Sequence, residues 1–387
     1  MYKEIVSFIR KTFNTPKGII PLHEPRFWGN EKKYLLDCVD STFVSSVGRY
    51  VDLFEEKIKN YTGSKYAIAI TNGTSALHLA LKLAGVEKND LVISQPLSFI
   101  ATSNAISYLG AFPAYVDVDK KTLGMSDEKL SEFLQKKTFF KDDGFCYHKA
   151  SGKKISACVP MHTFGHPVKI DVIKVLCKKY NISLVEDAAE SIGSKYRLKQ
   201  TGTFGNLGIF SFNGNKTITC GGGGVIITDN IKLAKMAKHL STQAKITHPW
   251  NFGHDEIGFN YRMPNINAAL ACAQLEQLEN FIERKRILSE KYKQFFSKTD
   301  IEFFTEPQNS CSNYWLNSIF FKNRKQRDKF LKYMNSNGIM TRPSWTLMTN
   351  LKMYKNCVRE NIENSEWIEE RLVNIPSSVI LKPSNEI

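Results

Sequence analysis

The stretch of sequence that decides the fold is YAIAITNGTSALHLALKL, residues 66–83. Residues 66–71 are a short apolar run typical of a buried strand, and residues 72–83 have the apolar spacing of a helix that Gly85 ends. Similar β-rich runs alternate with helical stretches up to about residue 229, and they cover residues 91–95, 114–119, 156–161, 182–186, 209–212 and 224–228. Strands that alternate with helices predict an α/β fold with a mostly parallel sheet and helices on both faces.

The chain beyond this alternating region predicts a second, smaller domain. Residues 264–286 predict one strong helix, because Pro264 suits its start and an apolar stripe follows, made of Ile266, Leu270, Leu275, Leu278 and Ile282. After about residue 291, short strands and helices are mixed. We therefore expect an N-terminal extension (residues 1–19), a large α/β domain (20–264), and a linking helix with a small C-terminal α+β domain (265–387).

The composition is that of an ordinary globular protein, with 42% hydrophobic and 24% charged residues among 387. No apolar run reaches the ~18 residues of a membrane span, and residues 1–13 lack the apolar core of a signal peptide, so we expect a cytoplasmic protein without membrane contact. The eight cysteines form no C-x-x-C pair, which implies neither a metal site nor a disulfide framework. The net charge of +15 is spread along the chain, which favours a solvated basic surface over nucleic-acid binding.

The segment TNGTS, residues 71–75, offers a place for a phosphate between a strand and a helix. Gly73 and the hydroxyls of Thr74 and Ser75 stand at the predicted helix N-terminus. There the free N–H groups point at an anion and the helix dipole favours its charge. The alternative is ordinary N-capping, which this segment alone does not exclude.

The segment VEDAAE, residues 185–190, places carboxylates directly after an apolar strand. They should lie at the carboxyl end of the sheet, where open α/β sheets bind ligands. A buried carboxylate such as Asp187 can keep a pyridine nitrogen protonated, because the opposite charge favours the cationic form. The alternative is an acidic helix start that Asp187 caps.

The segment FSFNGNK, residues 210–216, places one lysine between an apolar β-run and the glycines of residues 221–224. Glycines allow a ligand to approach the backbone closely, and a lysine held there can form a Schiff base with an aldehyde. The alternative is a surface lysine in a flexible loop. A fourth segment, residues 258–264, can bind an anion through Asn260 and Arg262, or use them as capping and surface groups.

The joint presence and order of these segments carry the functional interpretation. An anion site, a carboxylate for a pyridinium nitrogen and a lysine for an aldehyde are what an enzyme dependent on pyridoxal 5'-phosphate needs. No single segment would suffice, because each has the structural alternative given above.

The sequence resembles the DegT/DnrJ/StrS family of sugar aminotransferases from about residue 20 to its C-terminus. The segments that carry the resemblance include TNGTSALHLALKLAG, PLSFIATSNAISYLGA, VEDAAESIGSKY, GIFSFNGNKTITCGGGGVIIT and IGFNYRMPNINAALACAQLEQL. Within that family it is most similar to the LegC-type branch, through IPLHEPRFWGNE, VPMHTFGHPV and SFNGNK. Asn213 and Gly222 differ from many members and are typical of this branch.

The resemblance implies a fold type I aminotransferase that binds pyridoxal 5'-phosphate and forms a homodimer with active sites at the subunit interface. It implies that Lys216 is the Schiff-base lysine and proton shuttle, and that Asp187 pairs with the pyridinium nitrogen. Glu190 stands beside the cofactor ring, where many members have glutamine. The other implied cofactor contacts are Thr74, Ser75 and Ser211 at the phosphate, Asn260 from the neighbouring subunit, Phe99 stacked on the ring, and His162 near its other side.

The resemblance also implies the reaction. Amino transfer from L-glutamate would convert the 4-keto group of a nucleotide-linked 2-acetamido-2,6-dideoxy-hexos-4-ulose, with UDP the commoner nucleotide and GDP the other candidate. The product would feed nonulosonic (legionaminic-type) acid or bacillosamine synthesis. Candidate residues for the sugar nucleotide are His23, Phe27, Arg262 and Trp345, each of which can equally be a packing residue.

Two other functions stay open. A sugar dehydratase on the same fold is disfavoured because a histidine replaces the lysine in those relatives, and Lys216 is present. A non-catalytic binding or regulatory protein is the other alternative, although such a protein has no need of Lys216 and Asp187 together.

Overall fold

The computed structural model describes residues 1–380, and none of its helices is both long and apolar enough to cross a membrane. In this part of the chain the α-helices are α1 (Tyr2–Thr12), α2 (Glu31–Asp40), α3 (Arg49–Thr62), α4 (Gly73–Leu83), α5 (Ile100–Tyr108), α6 (Asp127–Lys137), α7 (Ile170–Lys179), α8 (Ile231–Ser241), α9 (Asn265–Leu275), α10 (Leu278–Phe296), α11 (Arg324–Ser336) and α12 (Glu363–Arg371). Short 3₁₀ turns lie at Thr163–Gly165 and Met348–Asn350.

The strands follow the same chain order. They are β1 (Tyr66–Ile70), β2 (Leu91–Ser94), β3 (Phe112–Tyr115), β4 (Thr138–Phe140), β5 (Cys146–His148), β6 (Ile155–Cys158), β7 (Ser183–Asp187), β8 (Lys195–Tyr196), β9 (Lys199–Gln200), β10 (Leu207–Ser211), β11 (Gly224–Thr228), β12 (Glu302–Phe303), β13 (Ser310–Cys311), β14 (Asn317–Phe320), β15 (Arg342–Pro343), β16 (Val358–Arg359) and β17 (Leu372–Ile375).

The large sheet has eight strands in the order β1-β11-β10-β7-β6-β2-β3-β16. Every neighbouring pair from β10 to β16 is parallel, and β11 runs antiparallel to both β1 and β10. One apolar cluster packs α4, α5 and α8 on one face of the sheet, and two others pack α3, α6, α7 and α9 on the other face. The predicted α/β class with a mostly parallel sheet is confirmed.

The carboxyl edge of this sheet collects the polar segments. β7 ends at Asp187 and β10 at Ser211, and their parallel register places Ile209 opposite Asp187. The antiparallel strand β11 begins at this edge, with Gly224 opposite both Ile70 and Ser211. A Cβ on Gly224 would lie 2.6 Å from the Asn72 carbonyl carbon, so only glycine lets β11 begin against the turn between β1 and α4.

The small sheet has the order β12-β14-β17-β15 and packs against α1, α10 and α11. Ile5 and Ile9 of α1 are fully buried in this cluster, so the N-terminal extension belongs to its core. Two short strands return to the large domain, where β16 pairs with β3 and β13 pairs with β8. The predicted boundaries after residues 19 and 264 stay predictions, and residues 381–387 of the predicted C-terminal domain lie outside the described residues.

The prediction of one helix over residues 264–286 is wrong, because α9 and α10 are separate helices that meet at Glu276 and Gln277. Glu276 accepts hydrogen bonds from Asn30 and Tyr34, both at 2.8 Å, which holds the end of α9 against the large domain. The turn then lets α10 bury Leu278 in the large domain and its later residues in the small-domain core.

The burial of α1 gives a stability prediction. Replacing Ile9 with alanine should lower the free energy of unfolding by about 2–5 kcal/mol, because the change leaves a cavity in a closed core. Ile19→Ala is the matched control, since Ile19 is 71% exposed and should lose little. Denaturant unfolding of the two variants measures the difference, and equal losses would show that α1 is not part of the core.

Candidate active site

Asp187 is a buried carboxylate at the end of β7. The Thr102 hydroxyl donates to its Oδ2 at 2.6 Å, and the Ala189 backbone N–H donates to its Oδ1 at 3.2 Å. Burial raises the pKa of Asp187, while the Thr102 hydrogen bond, the Ala189 N–H and the charge of Lys216 act in the opposite direction. A cation placed against this carboxylate would favour its ionised form.

Glu186, the neighbour of Asp187, is tied into the backbone. Its carboxylate accepts N–H groups from Gly202 at 2.8 Å and Gly205 at 2.7 Å, and its Oε2 lies 3.0 Å from His162 Nε2. The other ring nitrogen of His162, Nδ1, accepts the Val168 N–H at 3.3 Å, which places the imidazole proton on Nε2. Both ring nitrogens of His162 are therefore bound by protein groups. Its backbone N–H donates to the Asp187 carbonyl, so the residue lies next to Asp187 in the fold.

Lys216 stands in the turn that follows β10. Its Nζ donates to Glu190 Oε1 at 3.2 Å and lies 4.1 Å from the centre of the Trp315 ring. Trp315 is fixed in turn, because its indole N–H donates to the Asn215 carbonyl at 2.7 Å. The lysine is only 13% exposed, so its amine is held between a carboxylate and an aromatic face instead of extending into solvent.

The predicted phosphate site forms where α4 begins. Asn72 caps the helix by accepting the Ser75 N–H at 2.8 Å, and a Cβ on Gly73 would lie 2.8 Å from Ser211 Cβ. The N-terminus of α4 and the end of β10 are therefore in contact. Within residues 1–380, the hydroxyls of Thr74, Ser75 and Ser211 and the N–H groups of Gly73 and Thr74 make no hydrogen bond to protein.

A pocket of ≈500 Å³ adjoins the Lys216 segment; Lys216 itself is not among the lining residues, but Asn215 and Trp315 are, and the Trp315 ring lies 4.1 Å from Lys216 Nζ. Its walls come from the N-terminal segment, the Phe164 turn, the loop of Asn215, the Trp315 segment and the small domain; they include His23, Phe164, Asn215, Trp315, Arg342 and Trp345. The Phe164 and Trp345 rings pack at 4.8 Å between centroids, and Phe99 lies 6.2 Å from Trp345. A volume of this size suits a small organic ligand.

His23 is an unusual member of this wall. Neither ring nitrogen is reached by solvent, and neither has a hydrogen-bond partner in the described part of the chain. Burial lowers the pKa of His23 well below its usual value, and the charges of Lys285, Arg26 and Lys216 lower it further. The imidazole is therefore neutral, with a donor and an acceptor that are closed off from the pocket in this structure.

The structure brings most of the sequence-predicted residues to one sheet edge. Asp187, Glu190, Lys216 and Ser211 lie there with the α4 N-terminus, and Phe99 caps α5 one turn before Thr102. His23 and Trp345 line the pocket, whereas Phe27 and Arg262 are outside its lining. Asn260 is exposed, and its backbone pairs with Thr242, which is not one of these residues.

Sequence reasoning missed several residues that shape the site. Thr102 anchors Asp187, Trp315 covers Lys216, and Phe164 forms a pocket wall while adopting a left-handed backbone with φ of 56°. Thr102 stands in the quoted segment PLSFIATSN, but nothing local marks it as a partner of Asp187. Trp315 lies 99 positions from Lys216 along the chain, so no local motif joins them.

The residues present fit pyridoxal phosphate. Unpaired hydroxyl and N–H donors stand at a helix N-terminus, where a phosphate is favoured. A buried carboxylate and a lysine amine lie at the same sheet edge, as a pyridinium nitrogen and an aldehyde require. The fold and this site together define the class of pyridoxal-phosphate-dependent aminotransferases.

Comparison with known proteins gives the family. Residues 27–386 match the DegT/DnrJ/EryC1/StrS aminotransferase family. The chain is 37% identical to the GDP-perosamine synthase of Escherichia coli O157:H7 over 92% of its own length and 93% of that protein, and 33% identical to the one of Vibrio cholerae over 93% and 94%. The chain belongs to this family, so it is an enzyme, and the predicted cofactor, pyridoxal 5'-phosphate, is confirmed.

Solved structures agree on the fold. A DegT/DnrJ/EryC1/StrS aminotransferase from Brucella abortus superimposes with a TM-score of 0.82 at 25% identity, covering 90% of both chains. Helicobacter pylori PseC, an aminotransferase involved in the biosynthesis of pseudoaminic acid, superimposes with a TM-score of 0.84 at 21% identity, covering 93% of this chain and 94% of that one. The second likeness supports the fold alone.

The contact between Thr102 and Asp187 can be tested through the cofactor. Thr102→Val should weaken pyridoxal phosphate binding about tenfold or more, because a hydrogen bond to a charged group contributes ~1.5–3 kcal/mol. Thr102→Ser keeps the hydroxyl and is the matched control. Equilibrium titration of the cofactor-free protein measures both dissociation constants, and equal values for valine and serine would remove Thr102 from the site.

Proposed function

We propose that this enzyme transfers the amino group of L-glutamate to the 4-keto carbon of a nucleotide-linked 2-acetamido-2,6-dideoxy-hexos-4-ulose, with GDP as the nucleotide. The observation that carries the proposal is the position of Lys216. Its amine contacts the buried Glu190 at a sheet edge shared with Asp187, and the pocket beside it is large enough for a hexose. The product would serve nonulosonic (legionaminic-type) acid or bacillosamine synthesis.

The choice of sugar and nucleotide rests on two kinds of support. The segments IPLHEPRFWGNE, VPMHTFGHPV and SFNGNK resemble the LegC-type branch, which favours the acetamido sugar. The same resemblance made UDP the first expectation, but two relatives, at 37% and 33% identity, are named GDP-perosamine synthase, which favours GDP. The keto sugar that leads to GDP-perosamine is the second candidate, supported by those names.

The chain's residues divide the chemistry between them. When bound, pyridoxal phosphate supplies the aldehyde that carries the amino group and the ring that withdraws electrons from the reacting carbon. Asp187 holds a proton on the ring nitrogen. Lys216 Nζ would take the proton from the α-carbon of L-glutamate, which leaves as 2-oxoglutarate with its keto oxygen supplied by water, and would later give a proton to C4 of the sugar, whose keto oxygen leaves as water. One positioned base of this kind typically contributes ~10²–10⁴-fold in rate.

The pocket supports a sugar on the Trp315 side of Lys216. Aromatic side chains such as Trp345 and Phe164 offer apolar faces, and Arg342 offers a polar group to hydroxyl and amide oxygens. Pockets of this composition orient a ligand with few polar contacts on mostly apolar walls. We propose that the hexose, not the nucleotide, occupies this space.

Absorbance spectroscopy tests the function. Adding L-glutamate should replace the visible band of the lysine-bound cofactor by the band of its aminated form, and the right keto sugar should restore the first band. The GDP- and UDP-linked acetamido sugars and the GDP-linked perosamine precursor are added separately, and we expect the GDP-linked acetamido sugar to act fastest. Lys216→Ala is the control, with turnover reduced by at least ~10²-fold.

The contrary outcomes are equally specific. Fastest recovery with the perosamine precursor would select the second candidate, and fastest recovery with the UDP sugar would overturn the nucleotide. A cofactor band that L-glutamate does not change would favour a binding protein. Release of water from the sugar without amination would favour a dehydratase. Near-normal turnover of Lys216→Ala would remove Lys216 from the mechanism.

We also propose a homodimer in which each subunit supplies Asn260 to the cofactor phosphate of its partner. Asn260 is exposed, and its backbone pairs with Thr242, which is not a predicted site residue. The loop that precedes it exposes Trp250, Phe252 and Ile257, each at least 75% accessible. Exposed apolar side chains grouped in one loop are typical of a protein interface.

A hybrid dimer tests this arrangement. Lys216→Ala and Asn260→Ala subunits, co-expressed with different tags and purified together, should regain about half of wild-type activity, because a two-fold dimer then has one intact site. The two parent homodimers are the controls. A hybrid no more active than its better parent would mean that Lys216 and Asn260 act within one subunit, and a monomeric mass would exclude the dimer.

A further inference from the structure

Glu190 is the buried carboxylate in direct contact with Lys216. One oxygen, Oε1, accepts the lysine Nζ at 3.2 Å, and the other, Oε2, accepts the Phe164 N–H at 2.9 Å. Its side chain is 1% exposed, and its backbone carbonyl accepts the Asn313 side-chain amide at 3.0 Å. The carboxyl group therefore has no freedom to turn away from the lysine.

The charged groups around this carboxyl are few. Burial raises the pKa of Glu190 to about 7; Lys216 is the main influence that lowers it, and Asp187 raises it further. Asp187 itself faces the Thr102 hydroxyl and is influenced by Lys216 and His162. The other elements packed against Glu190 contribute uncharged groups. The Phe164 backbone N–H donates to its carboxylate, and the Asn313 side-chain amide donates to its backbone carbonyl.

We propose that Glu190 is a positioning residue for the proton transfers of Lys216. Its carboxylate holds the Nζ in one place and stabilises the ammonium form each time the lysine takes a proton from a substrate carbon. In that step the C–H bond breaks and an N–H bond forms on Lys216, while Glu190 supplies only charge and a hydrogen bond. This inference rests on the role proposed above for Lys216.

The physical reason is the low polarity of the site. An amine that gains a proton in a buried place loses hydration, which disfavours the ammonium form. A carboxylate at hydrogen-bond distance offsets that loss by attracting the ammonium charge and accepting its proton in a hydrogen bond. Because the Glu190 carboxyl must be ionised to act in this way, proton removal by Lys216 should become faster as the pH rises through neutrality.

A purely structural role for Glu190 is the competing explanation. Its Oε2 could serve only to hold the left-handed Phe164 turn, whose ring packs on Trp345 in the pocket wall. Glu190→Gln separates the two roles, because the amide oxygen still accepts the Phe164 N–H while the negative charge is lost. Glu190→Asp keeps the charge on a shorter side chain.

The first measurement is the chemical labelling of Lys216 as a function of pH in the full-length, cofactor-free protein. Acetic anhydride reacts only with the unprotonated amine, and peptide mass spectrometry reads the extent at Lys216. We expect the midpoint of labelling to fall by about 1 pH unit or more in Glu190→Gln, the effect of removing an adjacent opposite charge. Glu276→Gln is the matched control. It removes a carboxylate that pairs with Lys57 at the same 3.2 Å in another part of the protein, so the labelling midpoint of Lys216 should stay unchanged.

The second measurement is the pH profile of the L-glutamate half-reaction in the holoenzyme. In the wild-type enzyme the rate should rise as the pH passes through neutrality. In Glu190→Gln this rise should be lost, and the rate at higher pH should be about tenfold lower, as a difference of one pKa unit implies. An unchanged labelling midpoint together with an unchanged pH profile would overturn the proposal. Labelling needs no substrate, so a wrong sugar or nucleotide assignment would not affect that result.

Discussion

The parallel pairing of β7 with β10 is the constraint on which the site depends. Neighbouring strands lie about 4.8 Å apart, so the segments that leave them at the same edge are neighbours before any side chain makes contact. This pairing brings the segment of Asp187 and Glu190 next to the segment of Ser211 and Lys216. The other parts dock on that edge: α4 through Gly73 against Ser211, and α5 through Thr102 against Asp187.

Three carboxylates buried within five positions of the chain require partners, since an unpaired buried charge is costly. Glu186 is satisfied by backbone N–H groups and His162, which leaves it no capacity for a ligand. Asp187 keeps one hydroxyl and one N–H, and Glu190 keeps the lysine. The hydrogen-bond partners thus distinguish Glu186, a structural carboxylate, from Asp187 and Glu190, which belong to the candidate active site. In the sequence all three look alike.

The large sheet could be predicted because its signals are local. The long strands are apolar runs, and the predicted strands 66–71, 182–186 and 224–228 differ from β1, β7 and β11 by at most one residue at either end. The break between α9 and α10 could not be predicted from local signals, because the residues on its two sides pack into two different cores. Strands of two residues, such as β13 and β16, owe their existence to distant partners and leave almost no trace in the sequence.

The same distinction explains why the chemistry of this enzyme is easier to predict than its substrate. The residues assigned to the cofactor stand in contiguous motifs at strand ends, where backbone geometry places them. The pocket is assembled from segments far apart in the chain, from His23 through Phe164 and Trp315 to Arg342 and Trp345. Substitutions at Arg342 or Trp345 can reshape the pocket without removing a hydrogen bond of Lys216 or Asp187. Relatives of 33–37% identity therefore support the reaction more strongly than they support the sugar.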